Sequence, residues 1–356
     1  MRILHVITSL RTGGAERLVS ELLPRFREAG IDVELAIFDA TPSAFLSKLE
    51  SEGIKIHKFG IGYKSMYNPL HILKLRHLIG NFDIIHTHNS SCQLFTAIAT
   101  KLTTHKPVLV TTEHNTSNRR RKWKWYNFID KWMYEVYNAI ICCSSATAYE
   151  LKNSLNSLST KVHTIQNGID IDEFKNSSPK YNLSRPSITM VAAFRPQKDH
   201  HNVIDSLKYI PNAHLYLAGN GETRNEIETY VSQNKLEAQV HFLGHIDDIG
   251  NLYKSSDCAI LCSKYEGFGL SAVEAMASGT PIIVSDVPGL RDVVSSAGIL
   301  VPPSDAEALA NAIRNVLTDS TLRASLVKAG LERASQFSIE STVNQYIALY
   351  NNLIFK

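Results

Sequence analysis

The chain of 356 residues contains no run of about 18 consecutive apolar residues, the minimum for a membrane-spanning helix. No segment is therefore expected to cross a bilayer. The N-terminal stretch from Met1 to Ile7 leads directly into a glycine-containing turn, and it lacks the longer apolar region and cleavage site of a signal peptide. We therefore expect a first core strand at this end and a cytoplasmic protein.

Cysteine is scarce, and its spacing excludes the usual zinc sites. Cys258 and Cys262 are not followed by a second cysteine or histidine pair, and the adjacent Cys142 and Cys143 lie in an apolar run, as buried reduced thiols do. The sequence also lacks the G-x-G-x-x-G fingerprint of NAD-dependent oxidoreductases and the Gly-Lys-Ser/Thr of a Walker loop. These absences exclude several nucleotide-binding classes.

What the chain has is an alternation of short apolar runs with stretches of helical periodicity. Apolar residues make up 44% and charged residues 20%, enough for two buried cores. The runs are apolar nearly throughout, which is typical of parallel strands buried on both faces. We predict an α/β protein with two doubly wound parallel sheets. The predicted strands are Ile3–Thr8, Val33–Ile37, Ile84–His86, Val108–Thr112, Ala139–Cys143, Ile188–Ala192, His214–Ala218, Val240–Leu243, Cys258–Cys262, Pro281–Val284 and Gly298–Val301.

The net charge of +3 is unevenly divided. Residues 1–170 carry 21 Lys/Arg against 14 Asp/Glu, and the remainder carries 16 against 20. The first half is thus the half expected to meet an anionic partner. The boundary between the halves is predicted near Gly168, ahead of a polar stretch with two prolines. The last stretch, Ile339–Leu353, reads as an amphipathic helix, a poor place to end a second sheet.

Two glycine-containing loops open predicted helices directly after strands. The first holds Gly13 and Gly14, where a helix N-terminus suits a phosphate, although a plain tight turn explains the pair equally well. The second carries two carboxylates in an E-x7-E arrangement, Glu266 and Glu274. Backbone amides of the second loop and its carboxylates together suit a sugar, and a simple helix cap has no need of the glycines between the acids. Gly267 and Gly269 lie between the acids, where they would let the loop wrap a ligand.

Cations and histidines also follow strands, at the edge where open α/β sheets bind ligands. Arg195 and Lys198 follow the first strand of the second half and suit the diphosphate of a leaving group, although two solvated surface cations are the alternative. His86, His88 and His114 follow strands of the first half, and His114 is the preferred candidate. Asp170-Ile171-Asp172 is a D-x-D, but its position favours a loop or helix start over a metal site, so no metal is predicted.

A basic and aromatic segment spans residues 119–126. Its cations and aromatic rings suit an anionic membrane surface, a nucleic acid, or an exposed helix whose tryptophans pack inward. We predict peripheral binding at the inner face of the cell membrane and no nucleic acid partner. The residues concerned are Arg120, Arg121, Lys122, Trp123 and Trp125, with His88 as a further candidate for acceptor contact.

Over essentially its full length the chain resembles the retaining glycosyltransferases of family 4, which have the GT-B architecture. The E-x7-E element from Glu266 to Glu274 is the most specific match. Supporting matches are Gly13-Gly14-Ala15-Glu16, Asn167-Gly168-Ile169-Asp170 with Phe174, Arg195 with Lys198, and Phe242-Leu243-Gly244. A departure is Asp199 after the lysine, where many members have glycine.

The resemblance implies two facing nucleotide-binding-like domains with the active site in the cleft between them. An acceptor-side domain would comprise residues 1–168 plus 340–356, and a donor-binding domain residues 169–339. Glu274 would hold the donor ribose. Glu266 would contact the transferred sugar, helped by backbone amides of the loop Gly267, Phe268, Gly269 and Leu270. Arg195 and Lys198 would grip the diphosphate, Gly14 would approach the phosphates from the other domain, and His114 would lie near the reacting sugar. The matching motif places Gly244 in the donor site as well. No cofactor is implied, since members are typically metal-independent.

The sequence therefore predicts transfer of a hexose or N-acetylhexosamine from a nucleoside diphosphate sugar, with UDP as the expected nucleotide. The acceptor is expected to be a saccharide, lipid-linked because the first half is basic and aromatic, in surface polysaccharide or glycan biosynthesis. Two alternatives stay open: a sugar-nucleotide epimerase or hydrolase of the same architecture, and a non-catalytic sugar-nucleotide-binding subunit.

Overall fold

A computed structural model of the chain describes residues 1–11, 13–114 and 124–355. The protein divides into two compact units. The first comprises Met1–Gly168 and Ile339–Lys356, and the second comprises Ile169–Ser338. Each unit is built on one parallel sheet with helices in the connections. The predicted fold class, two doubly wound parallel-sheet domains, is confirmed.

The first unit contains a seven-stranded sheet in the order β3-β2-β1-β4-β5-β6-β7. Chain order reverses between β1 and β4, which lie side by side with Ile3 opposite Ile84 and Ile7 opposite His88. The strands are β1 Arg2–Ser9, β2 Asp32–Asp39, β3 Lys55–Lys58, β4 Ile84–His88, β5 Val108–Glu113, β6 Ala139–Cys142 and β7 Val162–Thr164. The helices are α1 Gly14–Glu28, α2 Ala44–Ser51, α3 His71–Ile79, α4 Ser90–Lys101, α5 Lys124–Val136 and α6 Ser145–Ser154.

The second unit contains a six-stranded sheet in the order β10-β9-β8-β11-β12-β13. Its order reverses between β8 and β11, where Cys258 pairs with Ile188. The strands are β8 Ser187–Val191, β9 His214–Ala218, β10 Val240–Gly244, β11 Cys258–Leu261, β12 Ile282–Ser285 and β13 Ile299–Val301. The helices are α7 Ile171–Lys175, α8 His200–Ser206, α9 Arg224–Gln233, α10 Ile249–Ser255, α11 Leu270–Ala277, α12 Pro288–Val294, α13 Ala306–Thr318 and α14 Ser320–Ala334.

The last helix, α15 at Ile339–Ile354, belongs to the first unit although it follows the second in the chain. Its apolar face, including Ile339, Val343, Tyr346 and Tyr350, is buried in the core on one side of the first sheet, together with residues of α1. The amphipathic pattern at the end of the sequence thus has its partner in the N-terminal core.

The five cysteines are buried thiols, as their apolar surroundings predicted. In the described part of the chain, no helix combines the length and hydrophobicity needed to cross a membrane.

Candidate active site

The reversal of strand order places two loops of the second unit side by side. One follows β8 and carries Arg195 and Lys198, and the other follows β11 and carries Ser263–Gly269. In an open α/β sheet the carboxyl ends of strands at such a reversal form a crevice that binds ligands. The backbone amide of Lys264 donates to the carbonyl of Gln197 at 2.8 Å and ties the two loops together.

Lys198 and Glu266 form an ion pair across these loops. Each side chain is only 15% exposed, so water screens the pair less than it screens a surface pair. The hydroxyl of Ser263 donates to the same carboxylate oxygen of Glu266 at 3.3 Å. Two residues that the sequence assigned to a diphosphate and a sugar are therefore in direct contact. An ammonium and a carboxylate in one crevice can serve the two ends of a sugar phosphate linkage.

Arg195 stands at the start of the same turn, and its side chain is exposed. The amide of Lys198 donates to the carbonyl of Arg195 at 2.9 Å, which closes a short 3-10 turn beginning at Pro196. The turn holds both cations at one edge of the sheet. Arg195 is thus available to an anion from solvent, whereas Lys198 is engaged with Glu266.

The loop between the two acids requires glycine for steric reasons. Gly269 has φ +90, and a Cβ there would lie 2.4 Å from Cδ2 of Leu290. Gly289, on α12, packs against the same loop, since a Cβ there would lie 2.3 Å from the carbonyl oxygen of Glu266. Phe268 is buried and meets Phe337 edge to face at 5.4 Å. The loop is therefore fixed by packing on several sides.

Glu274 lies on α11, just over one turn from its start, as the spacing predicted. Its side chain is 1% exposed, so this carboxylate is buried in the helix environment and is not a solvated surface acid. Gly269, the residue before Leu270, offers no side-chain cap to the first turn of α11. The N-terminal amides of the helix consequently receive no side-chain partner from that position, an arrangement suited to an anionic or hydroxyl ligand.

Gly244, a predicted donor-site residue, and two glycines that were not predicted, Gly219 and Gly221, also shape this edge. Gly244 ends β10 with φ +70, and its carbonyl accepts from the amide of Gly219 at 2.6 Å. A Cβ at Gly219 would lie 2.1 Å from the carbonyl oxygen of Ala192, and one at Gly221 would lie 2.3 Å from that of Phe194. The Gly-Asn-Gly after β9 was the available signal, since close backbone approach needs glycine.

Asp170 caps α7, and its carboxylate accepts from the amide of Glu173 at 3.0 Å. The D-x-D is therefore a helix start, which was the favoured interpretation of its position.

The corresponding edge of the first unit holds the other predicted site residues. Gly13 and Gly14 follow β1 and begin α1. Gly13 has extended backbone angles, so its importance is space and not φ: a Cβ would meet the carboxylate of Glu16. His88 ends β4 and His114 follows β5, with His88 Nδ1 and His114 Nε2 3.2 Å apart. Burial lowers the pKa of His114 to about 4 and that of His88 well below its ordinary value.

Most of the basic and aromatic segment lies outside the described residues. Arg120, Arg121, Lys122 and Trp123 lie outside the described residues, as does the side chain of Trp125, which belongs to α5. The prediction for this segment stays a prediction.

Comparisons with known proteins agree with this architecture. Residues 12–173 match the model for Glycosyltransferase Family 4, and residues 170–333 match that for Glycosyl transferases group 1. The UDP-Gal:alpha-D-GlcNAc-diphosphoundecaprenol alpha-1,3-galactosyltransferase of Escherichia coli is 27% identical over 77% of this chain and 76% of its own. The phosphatidyl-myo-inositol mannosyltransferase of Mycobacterium leprae is 24% identical over 96% of this chain and 93% of its own.

Solved structures share the fold. The crystal structure of Anabaena Alr3699/HepE in complex with UDP and glucose superposes with a TM-score of 0.86 at 24% identity, covering 98% of both chains. The two units accordingly have the GT-B architecture. Because the two family models together match residues 12–333, this chain belongs to family 4 of the glycosyltransferases.

Proposed function

We propose that the protein transfers a hexose or N-acetylhexosamine from a UDP-sugar to a lipid-linked saccharide, with retention of anomeric configuration and without a metal ion. The observation that carries the proposal is the contact between Lys198 and Glu266 at the strand-order reversal of the second unit. The ammonium can neutralise a departing diphosphate, and the carboxylate can accept from sugar hydroxyls. UDP is favoured because the Escherichia coli relative is named for UDP-Gal and the Anabaena structure holds UDP.

In the proposed reaction the bond from the anomeric carbon to the diphosphate oxygen breaks, and the acceptor oxygen bonds to the same face of the sugar. The departing diphosphate takes the acceptor proton, so the products are a glycoside and UDP. Lys198 and Arg195 stabilise the negative charge that develops on the diphosphate. Glu274 holds the ribose. Glu266 and the backbone amides at Phe268–Leu270 hold the transferred sugar. The family resemblance assigns Gly13 and Gly14 to the phosphates and His114 to the sugar, and these roles are part of the proposal.

Independence from metal is part of the proposal. The carboxylate of Asp170, in the D-x-D of the chain, is already engaged as a helix cap. The cations Arg195 and Lys198 can supply the charge neutralisation that a metal supplies elsewhere.

A lipid-linked acceptor agrees with the diphosphoundecaprenol acceptor in the name of the Escherichia coli relative and with a surface of the first unit. From Gly53 to Phe82 the sequence has no acidic residue and five cations. Five large apolar side chains there are at least half exposed: Ile61, Tyr63, Tyr67, Leu70 and Leu73. Apolar groups beside cations suit the interface of an anionic bilayer.

The first experiment is a transfer assay with UDP-, GDP- and ADP-sugars and an undecaprenyl-diphosphate-linked sugar, with EDTA present. The proposal expects one nucleotide class to support transfer, and proton NMR of the product to show the anomeric configuration of the donor. Donor consumption at full rate without acceptor would instead indicate the epimerase or hydrolase. Donor binding, seen as thermal stabilisation of about 2.7 kcal/mol at 100 times the dissociation constant, without any turnover would indicate the non-catalytic subunit.

Membrane attachment is tested separately by sedimentation with phospholipid vesicles. We expect the protein to bind anionic vesicles and the binding to weaken as the salt concentration rises. The double variant Leu70→Asp/Leu73→Asp should not bind. Leu331→Asp is the matched control, since Leu331 is an exposed leucine on a helix of the second unit. Equal loss in the control, or equal binding to zwitterionic vesicles, would contradict the proposed surface.

A further inference from the structure

Three imidazoles form a continuous chain through the first unit. His5 Nδ1 lies 3.0 Å from His88 Nε2, and His88 Nδ1 lies 3.2 Å from His114 Nε2. His5 lies in the middle of β1, His88 ends β4, and His114 follows β5. Strand β1 is separated from β4 by two strands in the chain but lies beside it in the sheet, so the fold brings His5 to His88.

The number of protons shared by the three rings of His5, His88 and His114 is limited. Burial lowers the pKa of His5 to about 3 and that of His114 to about 4, and it lowers that of His88 as well, so all three rings are neutral near pH 7. Three neutral rings have six nitrogens and three protons. Each of the two contacts between rings uses one proton. One proton is left for the two end atoms, His5 Nε2 and His114 Nδ1, so one end is a donor and the other an acceptor.

The positions of the two ends in the sheet decide between them. His5 is completely buried, and its Nε2 has no hydrogen-bond partner among the described residues. Phe26 lies beside it, with ring centroids 5.5 Å apart. An N–H group orphaned at such a position is rarer in proteins than an orphaned acceptor. The Nδ1 atom of His114 is also buried and has no partner among the described residues, but the residue is partly exposed and follows β5 at the edge where open α/β sheets bind ligands. A ligand bound at this edge can come close to His114 and not to the middle of β1, so the proton is expected on His114 Nδ1.

His86 packs against these three histidines, but both of its ring nitrogens bond to other residues. Its Nδ1 lies 2.5 Å from the hydroxyl of Tyr350 and its Nε2 2.7 Å from that of Thr112, so both nitrogens are in use. The ring stacks on His88 with centroids 4.3 Å apart. His5, His86 and His88 are close enough together to be considered as ligands of a metal. However, stacked rings direct their in-plane lone pairs side by side and not toward one point, so the geometry favours shared protons.

We propose that His88 and His5 are positioning residues that fix the tautomer of His114, so that His114 Nδ1 is held as a hydrogen-bond donor to a substrate oxygen. His88 Nδ1–H then donates to His114 Nε2, and His5 Nδ1–H donates to His88 Nε2. The proposal rests on the proposed function only in placing His114 beside substrate. It makes His114 a donor and removes it as a general base.

Nitrogen NMR of the full chain labelled in histidine tests the tautomer directly, without substrate or activity. The expected spectrum shows the bonded proton of His114 on Nδ1 and a pyridine-type nitrogen at Nε2. A proton on Nε2 of His114 in the parent protein would overturn the proposal, as would a tightly bound metal ion that perturbs His5 and His88.

Two variants connect the tautomer to the reaction. His88→Phe keeps a ring to stack on His86 but removes both nitrogens, and we expect a mixture of His114 tautomers and a loss of turnover of about tenfold. His71→Phe is the control. His71 is a buried histidine of the first unit that contacts Phe38 and Phe59, and it is not one of the three linked histidines. The control should leave the His114 tautomer unchanged.

The failures are distinguishable. A parent spectrum with the Nδ1 proton, combined with unchanged transfer in His114→Phe, would remove His114 from the substrate site and contradict its proposed role while leaving the histidine chain itself intact. An unchanged His114 tautomer in a folded His88→Phe protein would refute the positioning role of His88 whatever the activity.

Discussion

Replacing Lys198 with alanine should reduce turnover strongly and weaken donor binding less. Lys198 is held 15% exposed beside Glu266, so its charge acts in a crevice where water screens it poorly. Removing one preorganised group that stabilises developing charge typically lowers kcat by about 100- to 1000-fold, or about 2.7–4 kcal/mol. The diphosphate carries its full charge only as the bond to the sugar breaks, so the loss should fall on kcat more than on KM.

The variant also leaves the Glu266 carboxylate partly buried without its ammonium. The hydroxyl of Ser263 remains as a donor at 3.3 Å, so some of the cost is offset. We expect the free energy of unfolding to fall by about 1–3 kcal/mol. Lys198→Ala/Glu266→Gln removes both charges and should recover part of this stability but none of the activity, which separates folding from catalysis.

Lys264→Ala is the matched control. Lys264 lies in the neighbouring loop, is 55% exposed, and pairs with Asp199 at 3.4 Å. Such an exposed contact is worth about 0–1 kcal/mol, so turnover should stay within about fivefold of the parent. The assay is initial-rate transfer of labelled sugar at saturating acceptor. Turnover of Lys198→Ala within tenfold of the parent, or an equal loss in the control, would refute the assignment of Lys198 to the diphosphate.

Three further outcomes are expected. Gly269→Ala should lower the free energy of unfolding by about 2–5 kcal/mol, because it combines a positive φ with a clash on Leu290. The control Gly30→Ala has a similar φ but open space around the added methyl group, so it should cost about 1–2 kcal/mol. Equal shifts of the melting temperature in the two variants would contradict the packing argument. Burial lowers the pKa of His5 to about 3, so between pH 3 and its ordinary pKa of about 6.5 the unfolded chain binds one more proton than the folded protein. The free energy of unfolding should therefore fall by up to about 1.4 kcal/mol per pH unit as the pH drops from 6.5 toward 4. In urea unfolding His5→Phe should reduce this pH dependence by one proton, and an unchanged slope would count against the burial of His5. Asp170→Ala should lower the free energy of unfolding by about 1 kcal/mol, because a helix cap is lost. Its rate of transfer should be the same in EDTA and in magnesium, which a titration of both would check.

The buried parallel strands could be predicted because their runs, although short, are apolar nearly throughout. Strands β3 and β7, at the two edges of the first sheet, were not predicted. Those strands have 4 and 3 residues and no fully buried position, so their sequences resemble connecting loops. Edge strands are recognised by their pairing partner, and the partner is fixed only by the complete sheet.

The site was predictable by position in the chain but not by contact. Lys198 and Glu266 are 68 residues apart, and only the neighbouring places of β8 and β11 in the sheet bring them together. His5 was missed for the opposite reason, since a histidine inside an apolar strand resembles any core residue. Its significance depends on His88 and His114, which the same sheet places beside it.

Asp199 shows how this chain keeps the Lys198 turn where the family resemblance predicts glycine. The residue has φ 46, in the left-handed region that glycine adopts freely and aspartate tolerates better than most side chains. Its carboxylate accepts from the hydroxyl of Ser304 at 2.6 Å and faces the ammonium of Lys264 at 3.4 Å. The hydrogen bond from Ser304 offsets part of the backbone strain, and the exposed pair with Lys264 adds at most about 1 kcal/mol. The link from this turn to the loop that carries Glu266 is the backbone hydrogen bond from Lys264 to Gln197, which does not depend on the Lys264 side chain. Asp199 therefore replaces the freedom of glycine with a turn held by its own carboxylate.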